Sequence, residues 1–155
     1  MNRVRRETKR IPLAKLRAMT ASANADRRLL AIMLMQKQTS HRKIEPYLTI
    51  GREMIEDADN DCRWQALILV GEYIQTKPKL VWETVKRYGI SDDDDLRAGV
   101  ACVLLEHLME HHPRYRPQAK RISSKSKQFA DTLSTCWDFN EGSRELIPAR
   151  RNAAR

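Results

Sequence analysis

The sequence predicts an all-α fold. Three observations carry that prediction. Apolar residues recur at helical spacing almost everywhere after residue 12. No run of alternating apolar and polar residues marks a half-buried strand. Few aromatics (6%), five glycines and six prolines suit helices better than a β-sandwich. At 155 residues the chain is long enough for one domain with a real core.

The elements follow in order. A first helical segment covers Leu13 to Met19. A second covers Ala25 to Gln38, with Leu29, Leu30, Met33 and Leu34 apolar. Pro46 to Asp57 is a shorter one, carrying Leu48, Ile50, Met54 and Ile55. Asn60 is a natural N-cap for Asp61 to Gln75, where Trp64, Leu67, Ile68 and Tyr73 recur. Pro78 fits a first helical turn, and Gly89 a C′ position behind that helix. Ser91 or Asp92 caps the longest helix, which ends before Pro113. Two more segments follow, near Arg116 to Ile122 and Lys125 to Trp137. The domain reads as residues 12–139, between a basic tail (1–11) and a basic, flexible tail (140–155).

A repeat lies inside this pattern. "ADRRLLAIML", "NDCRWQALIL" and "DDLRAGVACV" each open with Asp-x-Arg ahead of an apolar helix. The pairs are Asp26/Arg28, Asp61/Arg63 and Asp95/Arg97, their aspartates 35 and then 34 residues apart. A shorter helix lies between successive openings. A fixed period of helix pairs predicts an α-solenoid. Aspartate in the first turn favours the positive end of the helix dipole. The arginine two residues on points to a different side. It can reach the aspartate of a neighbouring repeat, which would make a ladder along one edge.

These openings, with the small residues Ala31, Ala66, Ala98 and Ala101, resemble the HEAT-repeat (armadillo-like) family over roughly residues 25–122. The resemblance implies a short right-handed stack of about three to four helix pairs, first helices on the convex side and second helices on the concave side. It also implies a scaffold or adaptor that binds macromolecules without chemistry. One branch of the family excises alkylated DNA bases, and Trp82 with Glu83 and Arg87 faintly echoes its site. That branch is longer than this chain, so the glycosylase-like enzyme is the alternative.

The net charge is +9, unevenly spread. "RYRPQAKRISSKSK", from Arg114 to Lys127, holds six basic residues and no acid. The expected binding face therefore comprises Arg52, Lys86, Arg87, Arg114, Arg116, Lys120, Arg121, Lys125 and Lys127. Arg42 and Lys43 would extend it, with Tyr47, Tyr88 and Tyr115 nearby. A cationic groove of this kind fits an acidic protein surface or a nucleic-acid backbone. No apolar run approaches the roughly 20 residues that span a bilayer, so no membrane partner is expected. A stack this short exposes its ends, which makes a homodimer a further expectation.

Cys62, Cys102 and Cys136 are odd in number, far apart and set in apolar helical stretches. They read as reduced, buried thiols of a cytoplasmic protein rather than a disulfide framework. "HLMEH" matches the H-x-x-E-H helix motif, in which His107 and His111 would share a metal and Glu110 act as base. The motif is short, a third ligand is missing, and helix-end packing is the expected role of these histidines. The run Asp92 to Asp95 has oxygen ligands but not the spacing of a calcium loop, so it reads as a charged helix start. No metal and no cofactor are expected. Ser123, Ser124, Ser126 and Ser134 stand in no triad order.

Overall fold

A computed structural model of the chain describes residues 10–40 and 43–136. Most of the tail 1–11, all of 140–155, and the expected Arg42 and Trp137 lie outside the described residues. Among the described residues the fold is all-helical, with no strand. The helices are α1 (Leu13–Thr20), α2 (Ala25–Thr39), α3 (Glu45–Met54), α4 (Asn60–Gly71), α5 (Pro78–Tyr88), α6 (Asp94–Gly99), α7 (Glu106–His111), α8 (Arg116–Ser123) and α9 (Lys127–Thr135). A π-helical segment, Val100–Leu105, joins α6 to α7 into one continuous helix. A 3₁₀ turn, Pro113–Tyr115, leads into α8.

Three helix starts share one local device, placed one or two residues from where the sequence suggested it. Asn24, Asp59 and Asp93 are the N-caps, accepting from the backbone N–H of Arg27, Cys62 and Leu96. Two residues earlier, the side chains of Ser22, Asp57 and Ser91 accept from the N–H of the cap residue itself. Asn60 is therefore the first helical residue and not the cap, and neither Ser91 nor Asp92 caps α6. Each start satisfies two orphan backbone donors, which is why a carboxylate, amide or hydroxyl is needed at both places. α3 ends at Met54, short of Asp57, because Asp57 belongs to the next helix's start.

Packing joins consecutive helices and also alternate ones. α2 lies against both α1 and α4, and α3 lies against α4. The continuous α6–α7 helix touches α4, α5 and α9. The buried positions repeat with these contacts. Ala31, Ala66 and Val100 are fully buried, as are Ile32 and Ala101, with Leu67 next to them. In the first half of the helix the spacing is 35 residues from α2 to α4 and 34 from α4 onward. Beyond residue 103 the second spacing also becomes 35: Met35, Val70 and Leu105, then Thr39, Ile74 and Met109. The π segment absorbs the extra residue. Its wider turn, in which Glu106 N–H reaches Ala101 O, shifts the face by one position and keeps both halves apolar side inward.

Two glycines are required by close approach. A Cβ on Gly99 would sit 2.6 Å from Leu67 Cδ1, so the small residue lets α6 touch α4. A Cβ on Gly89 would lie 2.7 Å from Val85 O and 3.0 Å from the Phe129 ring. Gly89 is right-handed, with φ −68°, so it ends α5 as the C-cap and not as a left-handed C′ residue.

Candidate binding surface

The Asp-x-Arg arginines bridge helix starts, with different acceptors from those the spacing suggested. Arg28 makes a two-pronged bridge to Asp57, Nε to Oδ2 at 2.8 Å and Nη2 to Oδ1 at 2.8 Å. Its third branch donates to Ser22 O and Ala23 O, tying down its own helix start. Arg63 reaches Asp93 Oδ2 at 2.6 Å and lies 3.8 Å from Asp95 Oδ2. Arg97 pairs with Asp94 on its own helix and donates to Ser91 O. Asp26 and Asp61 are exposed and stand in none of these bridges. They occupy the outward side of the first turn, whereas Asp57 and Asp93 sit in the turns that face the preceding arginine. The hydrogen bond from Arg28 holds the Asp57 carboxyl below its ordinary value of 3.8. The capping bond from Leu96 N–H, then Arg63, does the same for Asp93.

The expected basic face divides into two unlike parts. On α3 and α5 the cations are interleaved with acids. Lys86 pairs with Glu83 at 2.8 Å, and Arg87 with Glu56 at 2.5 Å. Arg17 adds a pair with Glu53 at 3.3 Å. Arg52, Glu53, Glu56 and Arg87 line one depression of about 270 Å³, so its charge is mixed. The three tyrosines are not a stacking platform. Tyr47, Tyr88 and Tyr115 are 0%, 9% and 5% exposed. Tyr88 Oη donates to Glu56 at 2.8 Å, and burial pushes that phenol up to about 12.

α8 is different. Ala119 and Ser123 turn inward, while Lys120, Arg121 and the following Lys125 and Lys127 are exposed and Arg116 is half-buried. Among the described residues no ion pair involves any of these five. An aromatic cluster holds this cap in place. Trp82 of α5 packs 5.2 Å from Tyr115 and edge-on to Phe129 of α9 at 6.4 Å. Arg114 lies over the Tyr115 ring at 5.1 Å. Thr132 of α9 donates to Gly89 O at 2.7 Å. Sequence reasoning placed the cations of α3, α5 and α8 in one line, but the acids that break it come from neighbouring turns.

Trp82 is 4% exposed, so the aromatic that the base-excision alternative needs in a cleft is a packing residue here. Trp64 is half-buried and donates to Asp95 at 3.0 Å. His107 Nδ1 lies 3.6 Å from Glu110 Oε2, both half-exposed, and His111 is exposed. Among the described residues no three metal-binding side chains come together. His112, absent from the motif, has the structural part, with Nε2 2.9 Å from Ile74 O. All three cysteines are free, but only Cys62 is fully buried. Desolvation raises each thiol, Cys62 to about 11 and Cys136 to about 12. Among the described residues no helix is long and apolar enough to cross a membrane.

No family model matches this chain, and neither the curated proteins nor the solved structures contain a match.

Proposed function

We propose that this chain is a non-catalytic binding module, a short right-handed α-solenoid of HEAT-like helix pairs that docks a polyanion on its α8 surface. The recurring caps and the recurring buried positions support the solenoid. One observation carries the function: five cations between Arg116 of α8 and Lys127 of α9 have no acidic partner among the described residues, in contrast to Lys86 and Arg87. Ammonium and guanidinium groups displayed on α8 and the turn into α9 without counter-charges match a phosphate backbone. Nucleic acid is the first candidate partner and an acidic protein surface the second. The three free thiols suit a reducing, cytoplasmic setting.

Binding of random single- and double-stranded nucleic acid, titrated against salt, tests the reading. Contacts from all five cations give a log–log slope of about −3.5 on a single strand and about −4.5 on a duplex. No binding at about 50 mM salt, with tight binding of polyglutamate, transfers the surface to an acidic protein. No binding of either refutes it.

A further inference from the structure

A second surface lies on the outer side of α2, α4 and the π segment, and it is apolar. Leu30 and Met33 of α2 are each 50% exposed, and Ile68 of α4 is 37% exposed. Met33, Ile68 and Val103 are spaced 35 residues apart, the period of the buried core, so they hold equivalent places on three packed helices. Beside them runs a groove of about 480 Å³, its lining shared between the apolar Ile68, Ile74, Cys102 and Val103 and the charged Lys43 and Glu72. The extra residue of the π turn lies at this place, where Cys102 and Val103 form its wall.

An acidic row borders the apolar one. Asp26 and Asp61 stand i−4 to Leu30 and Gln65 and i−7 to Met33 and Ile68, on the same helix face. Asp95 continues the row on α6, and all three are exposed. Arg27 adjoins Asp26, and on α6 Arg97 pairs with Asp94 while Arg63 approaches Asp95, so the row is strongest at Asp61 of α4. Of these, Asp26 and Asp61 are the ones that the inter-helix bridges leave out, whereas Asp95 lies 3.8 Å from Arg63 and accepts from Trp64.

We infer that this face docks an amphipathic helix of another protein, apolar on one side and basic along one flank, lying across α2, α4 and the π segment. The apolar stripe would cover Met33, Ile68 and Val103, and the basic flank would face Asp26 and Asp61. Two interhelical steps of about 8–10 Å set the width. At about 1.5 Å per residue, the occupant needs roughly 13 residues to span it. The chain's net charge of +9 repels a cationic peptide as a whole, so such binding reports the local acidic row.

Three fluorescent peptides of about 14 residues test this against the full chain by anisotropy. The first is built from Leu and Lys with a helical Leu stripe. The second has Glu in place of Lys. The third keeps the composition of the first with the stripe scrambled. The first should bind about ten-fold or more tighter than the other two, a gap of about 1.4 kcal/mol. Met33→Asp and Ile68→Asp should each remove about ten-fold of that affinity, and the Asp26→Asn, Asp61→Asn double variant should weaken it several-fold. Circular dichroism checks that the helices remain, and the asparagine pair keeps the test decisive if an aspartate variant unfolds. Lys120→Glu should leave this binding unchanged, which separates it from the α8 surface. Equal binding of the scrambled or Glu peptide, no binding at all, or indifference to these variants overturns the inference. So does a concentration-dependent dimer that Met33→Asp dissolves, because a second copy then occupies the face.

Discussion

Arginine serves opposite purposes in two regions of this molecule. At the helix starts, Arg28 is largely enclosed and holds Asp57 with two parallel hydrogen bonds. On α8, Arg121 and Lys120 stand exposed without an acidic partner among the described residues. The first arrangement spends its charge on internal geometry, since a bidentate pair fixes both partners. The second leaves its charge available. The difference lies in neighbours: turns rich in Asp face Arg28 and Arg63, while residues 111–130 contain no acid at all.

The largest effect should come from the support beneath α8. Trp82→Ala removes the ring between Tyr115 and Phe129 and should cost about 3–5 kcal/mol by denaturant unfolding. It should also abolish polyanion binding, because α8 loses its seat. Binding that survives intact would separate the surface from the cluster beneath it.

Next is the bridge itself. Asp57→Ala should lower the melting temperature by roughly 10 °C, since Arg28 is left enclosed without a partner and Asp59 N–H loses its acceptor. Arg17→Ala, at an exposed pair, should lower it by no more than about 2 °C. Equal effects would erase the distinction between bridge and surface.

Acid should separate the regions further. The folded values of Asp57 and Asp93 are depressed below 3.8, so their stabilisation is complete above that value. It is lost as pH falls through the lower folded values. Thermal melts from pH 5 downward should show stability falling with acidity. Asp57→Asn should flatten part of that slope, and an unchanged slope would assign it to other carboxylates.

The smallest effect on stability should come from α8. The Lys120→Glu, Arg121→Glu double variant should keep its melting temperature within about 2 °C, yet reduce the salt slope of nucleic-acid binding by about 2. A slope that does not change removes α8 from the interface.

Helical periodicity made the all-helical class and the approximate helix positions legible in the sequence. The helices start and stop within a few residues of where their apolar periods and prolines place them. The caps were harder to place because the starts of α2, α4 and α6 each offer several Asp, Asn or Ser residues close together. The π turn gave only one hint, the change of spacing from 35 to 34. Where the missing residue returns is set by packing against α4. The candidate site was half legible. An acid-free run is visible in one dimension, so α8 stood out. Cancellation of Arg87 by Glu56 is not visible, because the two are 31 residues apart and meet only across helices.

By itself, then, the sequence determined the all-helical class, the period and the unequal spread of charge. Those properties depend on local propensity and on composition. Tertiary structure alone decided which charges are spent and which remain, and which apolar residues stay outside. Pairing and burial depend on distances between residues that the chain separates by a whole helix pair.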